Sequence, residues 1–343
     1  MKRRNLMGLF AGTAMALTMG TAAMAQEVTL KMHQFLPSQA SVPTQILDVW
    51  ADKVEAESGG RIKIERYPAM QLGGRPPELI GQLEDGVADI VWTVAGYTPG
   101  RFPKAEVFEL PFMMTDAEAT SRAYWDYAEA NMMDNEFAPF HPIALWVHGP
   151  GLIHSKDPIV SVKDLNGVKL RAPTRVTNML FTDLGATPVG MPVPAVPEAL
   201  SKGVIDATVI PYEVTGALKV SELVHNHTEF GNASLYTTNF IFAMNNDKYD
   251  ALPDDLKAVI DANSGADVSA WAGKTMQAAD APSKQIAVDL GNNIIVLDDA
   301  QVNEWRDASK GIEGKWIEEM NAKGFDGAAL VAEAKERIAT NTK

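Results

Sequence analysis

The stretch Leu200-Ser201-Lys202-Gly203-Val204-Ile205-Asp206 repeats the pattern of Leu83-Glu84-Asp85-Gly86-Val87-Ala88-Asp89, and this repetition decides the fold. The shared pattern Leu-x-x-Gly-Val-x-Asp is typical of a helix end, a left-handed glycine cap and the entry into a buried strand. Because the two copies occupy corresponding places in two α/β units, the sequence predicts two lobes of similar topology.

The residues around the first copy alternate between strand and helix patterns. Strict alternation of apolar and polar residues predicts strands, and apolar residues repeating every three or four positions predict helices. The order β-α-β-α-β indicates a parallel sheet with helices on its faces. The predicted elements are strands at 28–33, 61–67, 89–93 and 143–147 and helices at 43–58, 77–85 and 115–133, the last opened by a capping box from Thr115 to Glu118.

A second α/β unit surrounds the second copy, after a break at Gly149-Pro150-Gly151 that we interpret as a crossing between lobes. The apolar strand at 240–244 is expected to return to the first lobe. We therefore assign residues 26–148 and about 237–276 to lobe I, and residues 149–236 and about 277–343 to lobe II. The predicted elements are strands at 168–171, around Val189, at 205–210 and at 293–297, helices at 174–185 and 197–202, one long helix from Pro253 to Leu290, and a helical end.

Residues 1–25 have the pattern of an export signal. Lys2, Arg3 and Arg4 precede a mainly apolar run, and Ala23-Met24-Ala25 supplies a small-x-small cleavage pattern before Gln26. The alternative is a membrane anchor, for which the apolar run is too short and too rich in glycine and threonine. We therefore expect a periplasmic protein whose signal is cleaved before Gln26.

The composition excludes several function classes. The formal charge of −14 falls to near −17 without the signal, so phosphate is repelled and nucleic acid is not an expected partner. The absence of cysteine removes disulfides, thiolate nucleophiles and thiolate metal sites. No H-E-x-x-H metal motif, G-x-S-x-G elbow or phosphate loop occurs, so we expect no metal, no cofactor and no catalytic residue.

Three further segments carry a resemblance to a known family. They are Asp164-Leu165-Asn166-Gly167-Val168-Lys169-Leu170-Arg171-Ala172-Pro173, then Leu184-Gly185-Ala186-Thr187-Pro188-Val189, then Pro197-Glu198-Ala199-Leu200 leading into the second copy of the repeat. Together they resemble the DctP-type extracytoplasmic solute-binding proteins of tripartite ATP-independent periplasmic (TRAP) transporters, over essentially the whole chain after the signal. The resemblance implies a periplasmic-binding-protein-like α/β fold, with two lobes, a ligand cleft between them and a long helix spanning both. It also implies a carboxylate ligand and, as partners, a small and a large integral membrane subunit; we expect a monomer.

The same resemblance implies that Arg171, in the pattern G-x-K-x-R-x-P, binds the ligand carboxylate. The chemistry agrees, because a planar guanidinium offers two parallel N–H donors to the two oxygens of a carboxylate. Arg171 also ends a predicted strand, where clefts in parallel α/β sheets open. The alternative from position alone is a pair with a structural Asp or Glu.

Two departures from the sialic-acid-binding branch of the family bear on the ligand. That branch carries another arginine about twenty residues upstream, where this chain has Gly151 or Leu152, and an asparagine where this chain has Ile210. Fewer polar partners indicate a less hydroxylated ligand than a sugar acid.

Aromatic residues near predicted strand ends suggest an apolar pocket, which is typical of small-molecule sites. Each aromatic has ordinary core packing as its alternative. Arg175 is either a second clamp or solvated, and Glu213 either bonds a ligand hydroxyl, orders Arg171 or lies on the surface. The candidate ligand-binding residues besides Arg171 are Phe35, Gln71, Glu78, Trp92, Tyr97, Trp146, Arg175, Ile210, Tyr212, Glu213 and Phe240.

The function predicted from these residues is capture of an aromatic or otherwise apolar carboxylate by closure of the lobes. A C4-dicarboxylate or other polar carboxylate is the alternative ligand. A periplasmic enzyme acting on organic acids and a sensory binding protein are the alternative classes.

Overall fold

The alternating stretches of the sequence form two separate sheets in a computed structural model that describes residues 27–342. The expected signal and its cleavage site lie outside the described residues. The strands are β1 (Val28–His33), β2 (Ile62–Tyr67), β3 (Ile90–Val94), β4 (Phe140–Val147), β5 (Leu152–Ser155), β6 (Lys169–Ala172), β7 (Thr187–Gly190), β8 (Ala207–Ile210), β9 (Asn226–Glu229), β10 (Asn239–Asn245) and β11 (Asn293–Val296).

Helices cover the faces of both sheets. A π-helical turn at Pro43–Leu47 leads directly into the first α-helix. The α-helices are α1 (Asp48–Glu57), α2 (Leu79–Glu84), α3 (Ala117–Asn131), α4 (Arg175–Asp183), α5 (Val196–Ser201), α6 (Tyr212–Thr215), α7 (Asn246–Asp250), α8 (Asp254–Ala262), α9 (Ala266–Ala278), α10 (Asp280–Asp289), α11 (Asp299–Ser309), α12 (Gly311–Ala322) and α13 (Gly327–Asn341). Among residues 27–342, no helix has the length and apolar character needed to cross a lipid bilayer.

The first sheet has the strand order β2-β1-β3-β10-β4, and the second has the order β11-β9-β5-β8-β6-β7. In each sheet a parallel core is extended by antiparallel strands: β10 runs against β3 and β4, and β5 runs against β8 and β9. The chain passes between the lobes after β4, after β9 and after α9, and once more after α12, since α13 packs on α3. Each sheet therefore contains strands from separate parts of the chain. The strand at 240–244 returns to the first sheet, as the sequence predicted. The exact lobe boundaries stay a prediction.

The repeated motif has the same conformation in both lobes. Gly86 and Gly203 each have φ +69°, the left-handed region that a cap requires. The N–H of Asp89 then donates to the Lys31 carbonyl at 2.9 Å, and the N–H of Asp206 donates to the Lys169 carbonyl at 2.7 Å. The two-lobed α/β prediction is confirmed, and the motif marks equivalent strand entries.

The predicted single helix from Pro253 to Leu290 is wrong in one respect, because it is divided into α8, α9 and α10. Gly265 interrupts it with φ +102°, which no other residue type readily adopts, and Ala279 separates α9 from α10. α9 packs on α3 and β4 of the first lobe, whereas α10 packs on α6 of the second. The span across both lobes is thus made by two consecutive helices.

Two smaller differences from the sequence prediction concern local structure. The cap of α3 is Asp116 rather than Thr115, since the Asp116 side chain accepts from the Ala119 N–H at 2.8 Å. Strands β5 and β9 were not predicted, because each has only four residues and carries histidine, asparagine or threonine inside the sheet.

Candidate ligand-binding site

A cavity of about 400 Å³ lies between the two sheets. First-lobe residues supply one wall and second-lobe residues supply the other, with the crossing segments and α9 closing the sides. The lining is mainly apolar, and its ionisable side chains are those of Tyr97, His148, Arg171, Glu213 and Tyr236.

Arg171 lies in β6 and only 1% of its surface is exposed. Its Nε donates to the Met191 carbonyl at 2.9 Å and its Nη1 to the Val209 carbonyl at 3.0 Å. Its Nη2 approaches the Tyr97 hydroxyl at 3.5 Å. The ion pairs found among residues 27–342 include none to Arg171, so it has no structural Asp or Glu partner within that range.

The donor count of Arg171 defines what it can bind. A guanidinium has five N–H donors, of which three are used by Met191, Val209 and Tyr97. One N–H remains on each of Nη1 and Nη2, the number that a carboxylate needs for a forked pair. Because a buried cation without an anion is unfavourable, the cavity favours an anionic ligand.

Three nearly parallel rings line the first-lobe side of the cavity. The Phe35 and Trp92 centroids lie 4.6 Å apart with planes 15° from parallel, and those of Trp92 and Phe240 lie 5.2 Å apart at 16°. Such stacks are favourable, and they give this side of the cavity an aromatic surface. Trp146 stacks on Trp92 with centroids 6.0 Å apart, but it does not line the cavity.

Two tyrosines and a histidine surround Arg171. The Tyr97 hydroxyl accepts from the Val193 N–H at 2.8 Å, and the Tyr236 hydroxyl, in a side chain 1% exposed, has no hydrogen-bond partner. Burial and then the Arg171 charge lower the pKa of His148 to about 4, so this imidazole is neutral. The site therefore holds one positive charge and neutral donors around it.

Glu213 is the buried acid of the cavity, with 2% of its surface exposed. Its Oε1 accepts from the Ser41 hydroxyl, which belongs to the first lobe, while its Oε2 has no partner. Its main-chain N–H donates to Asp280 Oδ1 at 2.7 Å. Burial, with a contribution from Asp280, raises the pKa of Glu213 to about 8, so the carboxyl is mostly protonated at neutral pH.

Seven of the twelve sequence-predicted residues line the cavity, and they come from both lobes. Arg171, in β6, is held against the Val209 carbonyl of β8. Glu213 has no bond to Arg171, so the predicted ordering of Arg171 by Glu213 does not occur. The seven are Phe35, Trp92, Tyr97, Arg171, Ile210, Glu213 and Phe240.

Five predicted residues do not line the cavity. Trp146 is one of them. Arg175 is another, and it forms ion pairs with Glu106 and Glu319. The Tyr212 hydroxyl donates to Glu229 Oε1 at 3.1 Å on the other side of α6.

Gln71 and Glu78 are the remaining two, and both are exposed on a first-lobe loop. Glu78 there pairs with Arg75. The position of these residues near a strand end thus predicted their lobe correctly, but it did not predict the direction of their side chains.

Several lining residues were not predicted from the sequence. The crossing between β4 and β5 contributes His148, and the crossing between β9 and β10 contributes Tyr236 and Thr238. Helix α9 contributes Met276. Thr238 lies 3.0 Å from His148 Nε2, which ties the crossings together. The Gly149-Pro150-Gly151 break was the signal for one crossing, and its neighbours were the residues to inspect.

Gly151 explains how Tyr236 enters the site. A side-chain Cβ at Gly151 would lie 2.2 Å from a ring carbon of Tyr236. The tyrosine ring thus occupies the space beside the crossing, where the sialic-acid-binding branch was noted to carry an arginine. In the part of the chain that the structure describes, no group of three His, Asp or Glu side chains is placed to hold a metal ion.

The match to a known family covers residues 33–320 and therefore most of the cleft-forming chain. That family is the bacterial extracellular solute-binding proteins, family 7, DctP. The chain belongs to this family. The resemblance noted from Asp164 to Asp206 is confirmed, and so is the two-lobed binding-protein fold.

Solved relatives share the fold over nearly their full length. A TRAP solute-binding protein from Rhodoferax ferrireducens T118, in complex with copurified benzoate, is 49% identical, with a TM-score of 0.90 over 91% of this chain and 98% of that chain. A marine metagenome TRAP solute-binding protein specific for aromatic acid ligands, in complex with 3-hydroxybenzoate, is 48% identical, with a TM-score of 0.91 over 93% and 100%.

A more distant relative widens the range of ligands in the family. The ectoine/5-hydroxyectoine-binding periplasmic protein of Ruegeria pomeroyi is 25% identical over 97% of this chain and 96% of its own. The relatives of this chain thus include binding proteins for different ligands.

Proposed function

We propose that the protein captures an aromatic carboxylate between its lobes and delivers it to the membrane subunits of a TRAP transporter. The single observation that carries this proposal is a buried Arg171 without an acidic partner beside a stack of aromatic rings. The guanidinium fork suits the carboxylate, and the aromatic surface of Phe35, Trp92 and Phe240 suits an apolar ring.

The charge of the cavity lining argues against a C4-dicarboxylate as the ligand. A dicarboxylate carries two negative charges, whereas Arg171 is the one cationic side chain lining the cavity. The second carboxylate would be desolvated against apolar rings, at a cost of several kcal/mol. The benzoate and 3-hydroxybenzoate complexes of the two relatives near half identity support the same choice.

The proposed mechanism is capture by lobe closure, with no bond made or broken in the ligand. The carboxylate meets Arg171 in the second lobe, and the first-lobe rings then close over the ligand and exclude water. Because the closed form has more contacts with the ligand, binding shifts the population toward it. The membrane subunits recognise that form. The protein is exported to the periplasm with cleavage before Gln26.

The test of the function compares Arg171→Lys with wild type in calorimetric titrations of benzoate, cyclohexanecarboxylate and succinate. Wild type should prefer benzoate, since only benzoate offers both one carboxylate and a flat ring. Arg171→Lys keeps a positive charge but loses the fork, and we expect a loss of benzoate affinity of about 10- to 100-fold.

Lys169→Arg serves as the control, because Lys169 lies on the same strand with its side chain exposed and outside the cavity. Unchanged benzoate affinity in Arg171→Lys, or tighter binding of succinate than of benzoate by wild type, contradicts the proposal. Recovery of benzoate unaltered after incubation, measured by chromatography, checks that no reaction occurs.

A further inference from the structure

The cavity contains polar atoms that the carboxylate contact with Arg171 does not use. Among the lining residues, Glu213 Oε2, the Tyr236 hydroxyl and Trp92 Nε1 are buried and have no hydrogen-bond partner. A buried polar group left unpaired costs about 1–3 kcal/mol, so a ligand that pairs with it gains affinity and specificity. The two oxygens can accept hydrogen bonds, as the indole N–H cannot, so they are the atoms suited to a hydroxyl substituent on a bound ring.

The two atoms differ in their surroundings. Among the charges, Arg171 has the largest effect on the pKa of Tyr236, which places the Tyr236 hydroxyl in the electrostatic field of the guanidinium. The Tyr236 hydroxyl is thus suited to the carboxylate itself. Glu213 has its contacts with Ser41 and Asp280 instead.

The Glu213 carboxyl is fixed in position by both lobes. Ser41, from the first lobe, donates to Oε1, and the Ser283 hydroxyl of α10 donates to the Glu213 carbonyl at 3.1 Å. Oε1 is committed to Ser41 and the Val42 N–H also contacts the carboxyl, so Oε2 is the oxygen left for a ligand. A second negative group beside this acid would be repelled when Glu213 is ionised. A hydroxyl can donate to the ionised carboxylate, and it can donate to or accept from the protonated carboxyl.

We propose that Glu213 Oε2 binds a hydroxyl group on the ligand ring, so that the protein selects hydroxylated aromatic acids over unsubstituted ones. The inference rests on the proposed function, because Arg171 must first orient the acid. Its carboxylate is held at Arg171, the ring lies against Trp92 and Phe240, and the ring hydroxyl reaches Glu213. The Ser41 contact then makes this selection part of closure, since Glu213 is held in place when the first lobe is docked.

The experiment is a set of calorimetric titrations with benzoate and the 2-, 3- and 4-hydroxybenzoates. We expect at least one isomer to bind wild type about 5- to 10-fold more tightly than benzoate, as one added hydrogen bond predicts. In Glu213→Met, which keeps the length of the side chain and removes the acceptor, the affinity ratio for that isomer over benzoate should fall to within about twofold of unity.

Glu136→Met is the matched control. Glu136 is likewise an acid with a buried Oε2 that has no partner, but its contact with the Lys104 N–H is made within the first lobe and it does not line this cavity. Its substitution should leave the ratio between the hydroxylated and unsubstituted acids unchanged. A ratio that persists in Glu213→Met, or falls equally in Glu136→Met, overturns the inference.

A measurement on wild type alone keeps the inference testable if Glu213→Met does not fold. Methylation of the preferred hydroxyl, which gives the methoxybenzoate, removes the donor and enlarges the substituent, and it should cancel the gain over benzoate. A methoxy compound that binds as tightly as its hydroxy parent overturns the inference.

The outcomes also separate the two proposals. If benzoate binds through Arg171 and none of the hydroxybenzoates binds more tightly, the role of Glu213 fails and the proposed function stands. If none of the aromatic acids binds, the proposed function itself fails.

Discussion

Arg171 is held in position by the main chain rather than by an acid. The Met191 and Val209 carbonyls accept from Nε and Nη1, so the guanidinium is oriented by strand ends that belong to the same lobe. Removal of the side chain in Arg171→Ala takes away the donors to both carbonyls, which destabilises the fold in addition to removing the proposed ligand contact. Lysine is thus the cleaner substitution for separating binding from stability.

Ligand affinity should fall as the pH rises above about 8, because Glu213 then ionises next to a carboxylate ligand. Below this pH the carboxyl is protonated and adds no charge. The fall is limited to about tenfold per pH unit for one group. Titration of benzoate from pH 6 to 10 measures it.

Glu213→Gln should make that affinity profile flat, since the amide stays neutral throughout. The neighbouring Asp280, whose pKa burial raises to about 7, is the other acid that titrates here, and Asp280→Asn separates its effect. A wild-type affinity that is constant up to pH 10 contradicts the assignment.

At the residue scale, the sequence located Arg171 in the cavity better than it located the residues of the walls. Arg171 was recognisable because the guanidinium, the strand end and the family pattern coincide. Trp146 stacks on Trp92, yet only Trp92 lines the cavity. Which of two stacked rings reaches the cavity depends on the relation between lobes, and one strand does not encode that.

The crossing between β4 and β5 contains glycines for packing rather than for backbone freedom. A Cβ at Gly149 would lie 2.2 Å from Asp280 Oδ2, and a Cβ at Gly151 would lie 2.2 Å from the Tyr236 ring. Neither glycine has a left-handed φ. Both glycines allow a helix or a ring to approach the crossing at contact distance.

Gly151→Ala should therefore displace Tyr236 and destabilise the protein by roughly 1–3 kcal/mol, while weakening benzoate binding. Gly314→Ala is the control, because Gly314 lies inside α12 with no atom within 4 Å of an added Cβ. That change should stabilise the helix by about 0.5–1 kcal/mol. Chemical denaturation of both variants measures the free energies of unfolding, and equal values for the two contradict the packing role.

At the element scale, the sequence predicted most strands and missed the division of the long helix. The alternation that defines β1 and β2 is local and therefore visible in the sequence. The break at Gly265 was not, because its neighbours keep the helical spacing of apolar residues on both sides. Strands β5 and β9 were missed because polar residues occupy buried positions in them. His154 and His227 are buried against each other, with Nδ1 atoms 2.7 Å apart, so the strands lack an apolar pattern in the sequence.

On the scale of the whole molecule, several polar contacts join the two lobes beside the cavity. Arg175 binds Glu106 through two donors, and the Arg171 strand leads directly into the helix that carries Arg175. Glu109 is hydrogen-bonded by Thr174, the cap of that same helix. These contacts are made only when the lobes are together, so the predicted second clamp, Arg175, acts between lobes rather than on the ligand.

The stability of the whole molecule should be highest in mildly acidic solution. Burial raises the pKa values of Glu109 and Glu213 to about 8, so the stability they provide is full below pH 4.5 and is lost as the pH rises toward 8. Burial lowers the pKa values of His148 and His154 to about 4 and about 3, so their stability is full above pH 6.5 and is lost as the pH falls.

We therefore expect the Tm to be highest between about pH 5 and 6.5 and to decline on both sides. Circular dichroism melts from pH 4 to 9 measure the profile. Glu109→Gln should flatten the alkaline side without changing the acidic side. A wild-type Tm that rises steadily from pH 6 to 9 contradicts the expectation.

The discontinuous make-up of both sheets affects how the chain is completed during synthesis and secretion. As the chain emerges from its N-terminus, the first sheet lacks β10, which separates β3 from β4, until residue 245 has appeared, and the second lacks its edge strand β11 until residue 296. Pairings between such distant segments form slowly. Neither sheet can therefore be completed until most of the polypeptide has been made.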